Sequence, residues 1–298
     1  MKMRNAKNTL SKKRFFNYAY LVVFSLLING CVGINLTPKE VAFELPSKYF
    51  DISVQKDDLN SDEKILLKFK KAQNNVLKYE ENTTVFAKVE NGKGIEVTLT
   101  KKTEQFFGNY PENNSWNIIT SSVIQNIPEQ KSTENYIMDD KGRILKFISA
   151  EHISENGKIK ILEWKRDKIF PDNPVKPGDK WSYEEFIKIE LNSFWVSRKN
   201  DAPYKVKAKC EFANFAVVNG RKCAVIKTRA VEHRNEVLST FFKKMELNIN
   251  SFINEIAFFD YENGMFIGRI IGTETFTMSK DYSFSDHSIS QTIWKVSD

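Results

Sequence analysis

Residues 204–212 constrain the fold more than any other stretch. Tyr204, Val206, Ala208, Cys210 and Phe212 alternate with Lys205, Lys207, Lys209 and Glu211. A strict period of two puts every apolar side chain on one side of an extended strand and every charge on the other, the mark of a sheet with one dry and one wet face. The same alternation recurs where Ile95, Val97 and Leu99 interleave with Glu96, Thr98 and Thr100. Asn91-Gly92 and Asn219-Gly220 lie between such runs. Both residue types accept positive φ, so Asn-Gly between strands predicts a tight antiparallel hairpin. The 23 Phe and 10 Tyr, with abundant Val and Ile, favour pleated structure over helix.

The chain then repeats itself. Val85–Val97 (VFAKVENGKGIEV) parallels Asn214–Ile226 (NFAVVNGRKCAVI), each reading strand, Asn-Gly, strand. A segment of helical spacing follows in both halves: Trp116, Ile119, Val123 and Ile127 in one, Val237, Leu238, Phe241, Phe242 and Met245 in the other. The first of these also suits a strand, being rich in Ile, Thr and Val. Tyr136–Phe147 then matches Ala257–Gly268, and Lys160–Lys165 matches Ser290–Lys295. The landmark offsets are 128 for Gly92/Gly220, 122 for Gly142/Gly264 and 130 for Trp164/Trp294. Two readings account for this: an internal duplication, or the common look of hairpins in any antiparallel protein. The expected fold is mainly β within an α+β class, with two repeated curved antiparallel sheets that each carry a packed helix. A single β-sandwich or barrel is the alternative.

Between the halves, residues 170–181 (FPDNPVKPGDKW) hold Pro171, Pro174 and Pro177, and Pro177-Gly178 suits a type II turn. The expected organisation is a leader over 1–30, a tether and arm over 31–60, a first repeat over 61–169, this connector, and a second repeat over 182–298.

The N-terminus carries a different message. Lys2, Arg4, Lys7, Lys12, Lys13 and Arg14 precede an apolar run of 11 residues, Tyr18–Ile28. A basic start, a short apolar middle and a small residue read as a secretory signal. A spanning helix needs about 20 apolar residues. Leu27-Ile28-Asn29-Gly30-Cys31 resembles the lipobox of bacterial lipoproteins. By that resemblance Cys31 receives a diacylglyceryl group and a peptidase cuts after Gly30, with Leu27, Ile28, Asn29 and Gly30 as the recognition segment. Asn29 departs from the usual small residue at its position. A cut by ordinary signal peptidase and an uncleaved anchor are the other readings. Since each buried methylene contributes about 0.8 kcal/mol, two or three acyl chains (palmitate among them) hold a globular body firmly to a bilayer. The resemblance implies lipid anchoring on the extracytoplasmic side of a bacterial membrane, and Val32 after the cysteine implies the outer membrane in a cell with two.

Trimming also changes the charge. Six of the 45 Lys and Arg precede Cys31, so the remaining chain holds 39 bases against 38 acids. The electrostatic surplus that drives nucleic-acid binding is gone, and no nucleic-acid partner is expected. Cys210 and Cys223 flank the Asn219-Gly220 turn. A plain two-residue register sets Cys210 against Arg229, so a disulfide needs a bulge, and two buried free thiols are the other outcome. No catalytic residue is expected. His152, His233 and His287 show no metal-ligand spacing, and neither a Gly-x-Ser-x-Gly elbow nor a phosphate-cradling Gly-rich loop is present. Asp139-Asp140-Lys141-Gly142 reads as turn chemistry. Cofactors and metals are therefore not expected.

Val175-Lys-Pro-Gly-Asp-Lys-Trp181 resembles a V-x-x-G-D-x-W phrase of uncharacterised exported bacterial proteins. With the lipobox and the repeated meander, the chain is similar to lipoproteins of unknown function whose sheets curve as in the lipoprotein carrier LolA. That resemblance implies a curved sheet around an apolar cavity with helices across its open side. The functional expectation is a non-enzymatic module that holds a lipid or apolar segment, with Trp116, Phe241, Phe242 and Met245 facing it. The alternative is a structural or protein-interaction component of the cell envelope.

Overall fold

The computed structural model describes residues 50–53 and 62–297, with breaks at 73, 89–93, 112–113, 126, 155–156, 194–195, 200–203, 241–243 and 280–284. Leu27–Cys31, Phe241 and Phe242 lie outside the described residues. All described elements are strands. In chain order they are β1 (Ile52–Ser53), β2 (Val76–Lys88), β3 (Gly94–Asn109), β4 (Ser115–Ile124), β5 (Ile127–Asp139), β6 (Ile144–Ser154), β7 (Gly157–Arg166) and β8 (Lys180–Ser193). They continue as β9 (Val196–Lys199), β10 (Tyr204–Val218), β11 (Arg221–Thr240), β12 (Lys244–Asp260), β13 (Met265–Ser279) and β14 (Ser285–Val296).

The strands close on themselves. Sequential neighbours pair antiparallel from β2 to β8, β8 pairs β10, the meander runs on to β14, and β14 returns to β2 through Ile289↔Phe86, Thr292↔Thr83 and Val296↔Tyr79. The result is a 12-stranded antiparallel barrel. β1 adds to the end of β10, and β9 bridges β8 and β11. The expectation of two sheets with packed helices is overturned, and the single barrel is the architecture present. Closure removes the free edges that two separate sheets would have left unpaired.

Both expected helices are strands, for identifiable reasons. In β4, Trp116, Ile118 and Ser122 point inward, while Ile119 and Val123 point outward and are exposed. Apolar residues on both faces of one strand imitate a spacing of three and four. Val237 and Leu238 belong to β11, and Met245 pairs with Leu238 from β12. That apolar cluster was collected from two strands.

Interior and exterior positions alternate along each strand, and bulges at Phe212/Asn214, Phe258/Phe259 and Ile161/Glu163 shift the phase. The first bulge matters for the thiols. It sets Cys210 against Thr228, while Cys223, on the turn side of the bulge, keeps the plain register against Ala216. Cys210 packs inside with Phe212 and Ile226, whereas Cys223 packs outside with Val225 and Phe258. Both are free, and the possible disulfide is corrected because the barrel wall separates the two sulfurs.

Twelve strands enclose more room than lining side chains fill, and two chain segments close one end. Residues 64–72 run between the β5–β6 and β12–β13 turns, where the Phe69 amide donates to Asp140 O (2.7 Å) and the Lys70 amide to Gly264 O (3.0 Å). Residues 167–179, which include most of the proline-rich connector, join them through the reciprocal Ile65–Val175 pair at 2.9 Å. Gly178 has φ 93° and the Asp179 amide donates to Lys176 O, the type II turn that Pro177-Gly178 anticipates. Leu67 and Phe170 are fully buried by this cap, against Phe212, Phe215 and Phe259. The connector is thus part of the barrel's closure. A second apolar cluster lies outside the wall, where Phe50 covers Gly268 and packs on Phe258 at 5.0 Å.

Candidate functional site

Above the aromatic floor of the cap the lumen turns polar. A chamber of about 250 Å³ is lined by Tyr79 and Glu81 of β2, Lys101, Thr103 and Gln105 of β3, and Thr120 and Ser122 of β4. Glu134, Tyr136 and Met138 of β5, Arg166 of β7, Arg269 of β13 and Trp294 of β14 also line it, together with the apolar Leu77, Phe107 and Met265, with Phe69, Ile169 and Phe266 at its base. These side chains converge because each occupies the inward phase of its strand. The sequence Tyr-Glu-Glu does this twice. Tyr79 and Glu81 point in while Glu80 points out, and Tyr183 and Glu185 point in while Glu184 meets Lys205 and Lys207 outside.

The buried charges are mostly paired, as a low-dielectric interior requires. Glu255 accepts two bonds from Arg269, Nε at 2.6 Å and Nη2 at 3.0 Å. Burial alone would weaken the guanidinium's charge, and the Glu255 carboxylate more than offsets that, so Arg269 stays protonated. Glu185 accepts from Trp164 Nε1 at 2.5 Å and lies 3.9 Å from Arg166. Arg166 Nε also donates to Gly142 O at 2.9 Å, tying the lumen to the cap-end turn. Lys101 reaches Glu81 at 3.4 Å. Hydroxyls close among themselves: Thr103 with Ser122 at 2.8 Å, and Tyr79 donating to Gln105 Oε1 at 2.8 Å. Burial raises the pKa of the Tyr79, Tyr136 and Tyr183 phenols, which stay neutral. Two ring pairs stand in the wall, Tyr79 stacked on Trp294 at 4.1 Å and Tyr136 against Trp164 at 5.0 Å.

Glu134 differs. Among the described residues its carboxylate has no hydrogen-bond partner and no ion pair. Burial pushes its pKa up from the ordinary carboxylate range, while Lys101 and Arg166 pull the other way.

Of the residues singled out from sequence, Trp116 sits part-buried in the packed cluster of Phe107, Ile118, Tyr136 and Met138, at the cap end of β4. It is part of the wall and no lid. His152 faces inward with its pKa lowered to about 4, by burial and then by Lys101, and so is neutral at pH 7. His233 is exposed. Burial pushes the Cys210 thiol up to about 11 and the Cys223 thiol up to about 12, so neither is a thiolate nucleophile at neutral pH. Asp139 accepts the Lys141 and Arg143 amides, the turn role read from Asp-Asp-Lys-Gly. No group of three His, Cys, Asp or Glu converges among the described residues.

Sequence reasoning missed Glu81, Lys101, Glu134, Arg166, Glu185, Glu255 and Arg269. A signal existed: several fall in the phase of their strand's apolar positions, as Glu134 does with Tyr136 and Met138. Searches of protein-family models, curated proteins and solved structures each return no match to the chain.

Proposed function

We propose that this chain is an exported, lipid-anchored β-barrel that serves as a structural or protein-interaction component of the cell envelope. The observation that carries the reading is the character of the two barrel faces. An acyl chain needs a continuous apolar cavity, whereas the chamber that the described residues line sets Glu81, Lys101, Glu134, Arg166 and Arg269 among its apolar side chains. Leu67, Phe69 and Phe170 of the cap fill the apolar end of the lumen. Holding a lipid inside is therefore the less supported reading.

The outer wall supports a body in water. A membrane-spanning barrel presents an apolar band, where a Lys or Arg at mid-depth costs about 2–4 kcal/mol. Here Lys205, Lys207, Lys209, Lys227 and Arg229 stand exposed on adjacent strands. Interspersed apolar side chains, Phe106, Ile119, Ile148 and Ile153, are also exposed and offer contact area. The anchor is the lipobox-like Leu27–Cys31.

Cys31→Ser tests the anchor. Incorporation of labelled palmitate should vanish and the protein should leave the membrane fraction; unchanged labelling overturns the reading. Organic extraction of the purified chain tests the body. No stoichiometric lipid beyond the covalent one is expected, and an extractable lipid at one per chain would restore the carrier reading.

A further inference from the structure

We propose that the barrel chamber binds a small molecule bearing a protonated amine, with Glu134 as its counter-ion and the rings of Tyr79, Trp294 and Tyr136 among its walls. The inference does not depend on how the chain is anchored.

It rests first on a charge left over. Arg269 is matched by Glu255, Lys101 by Glu81 and Arg166 by Glu185. Glu134 faces the same chamber and, among the described residues, makes no hydrogen bond or ion pair of its own, although Lys101 and Arg166 stand near enough to favour its charge. A half-buried carboxylate that opens on the chamber without a hydrogen bond is costly to ionise, and a ligand cation relieves that cost at the moment it binds.

The second observation is a pair of hairpins that treat the same position differently. Glu134 precedes the turn residue Asp139 by five positions, and Glu255 precedes Asp260 by five. The register sets Arg269 opposite Ala257, two residues beyond Glu255, and sets Phe147 opposite Tyr136, two residues beyond Glu134. Where one hairpin supplies an arginine, the other supplies a ring. The first hairpin therefore offers a carboxylate whose cation comes from elsewhere.

Size and wall chemistry narrow the ligand. An apolar cavity of about 150 Å³ accepts benzene, so about 250 Å³ takes a somewhat larger molecule. Aromatic faces attract ammonium groups. One carboxylate with ring faces suits an ammonium better than a metal ion, which would call for several ligating groups, and no such cluster is present among the described residues. The titratable groups that face Glu134 are Glu81 of β2, Lys101 of β3, Tyr136 of β5, Arg166 of β7 and Glu185 of β8. Of these, Lys101 is paired with Glu81, Arg166 lies 3.9 Å from Glu185, and burial keeps Tyr136 a neutral phenol. Affinity for the amine should rise with pH as Glu134 gives up its proton.

Calorimetry on the full chain in detergent provides the test, with ethanolamine and putrescine as probes and ethylene glycol and 1,4-butanediol as amine-free counterparts. Saturable binding of an amine and none of its diol is expected. Glu134→Gln should weaken the amine at least tenfold without lowering the melting temperature, and Phe147→Arg, which builds the missing guanidinium into β6, should do likewise. Glu151→Gln on the outer wall should leave binding unchanged. If neither amine binds, if the diols bind equally, or if Glu134→Gln binds as well as the parent, the proposal is overturned.

Discussion

The β5–β6 and β12–β13 hairpins approach the cap alike and differ in what they leave unfinished. Both turn through an Asp and a positive-φ glycine, Gly142 at 82° and Gly264 at 68°, and both hold one flank of the strap at residues 64–72. Both aim a glutamate into the lumen five residues before that Asp. In the second hairpin the glutamate is satisfied within the hairpin by Arg269. In the first it is not, because Phe147 stands at the corresponding register. The difference teaches that one hairpin is complete as folded, and that the other carries its charge at a cost to stability.

Removing the arginine should have the largest effect. Arg269→Met leaves Glu255 buried without its partner, and breaking such a pair costs about 3–5 kcal/mol when both groups are fully enclosed. Arg269 keeps 34% of its side chain open while Glu255 keeps 9%, so about 2–4 kcal/mol is expected from urea unfolding. A loss below about 1 kcal/mol would mean that the pair does not distinguish the hairpins.

The turn glycines come next, and they should separate from one another. A Cβ at Gly264 would stand 2.6 Å from the Lys70 backbone nitrogen and 2.8 Å from Lys68 O, neither of which can move without lifting the strap. At Gly142 it would meet the Phe69 ring at 2.8 Å and Ile169 at 3.1 Å, side chains that can shift. Gly264→Ala should cost roughly 3 kcal/mol and Gly142→Ala roughly 2 kcal/mol, overpacking and backbone strain together. Gly220 has φ 75° and nothing within 4 Å of a Cβ, so Gly220→Ala should cost only the backbone term, about 1 kcal/mol. Equal losses at all three sites would show that the strap does not press on the turns.

The smallest effect has the opposite sign. Glu134 has its pKa raised by burial in the folded chain. An unfolded glutamate releases its proton near pH 4.3, before the folded one does. The folded state therefore holds more protons over that interval, and stability falls as pH rises through it. Glu134→Gln should match the parent at pH 4 and exceed it in melting temperature at pH 7, whereas Glu255→Gln should be the less stable of the two variants at pH 7. If Glu134→Gln is destabilised at pH 7, Glu134 is satisfied within the fold after all and the contrast between hairpins disappears.

Much of the local structure was legible in residue order. The 204–212 alternation is β10, with Ala208, Cys210 and Phe212 inside as their phase requires. Asn219-Gly220 makes its two-residue turn with φ of 50° and 75°. Where reading by period failed, a strand carried apolar residues on both faces, as β4 does, or two strands met at a short connection, as β11 and β12 do. The landmark pairs fared unequally. The Gly142 and Gly264 turns lie at the cap end and Trp164 and Trp294 both face the lumen there. Gly92 lies outside the described residues, but Lys88 and Gly94, which flank its segment, stand at the opposite end to the Gly220 turn, since β2 runs away from the cap and β10 runs toward it.

Sequence alone determined several of the strands and tight turns, β10 and the Asn219-Gly220 turn among them, because φ preference and side-chain alternation act over a few residues. Only the tertiary structure decided that the strands close into one barrel, that residues 64–72 and 167–179 seal its end, and that Glu134 lacks the partner Glu255 has. Those outcomes depend on pairings such as Thr83 with Thr292, 209 residues apart, and on which of two nearly equivalent positions holds a ring or a guanidinium once the register is set. No local pattern encodes a partner that far away.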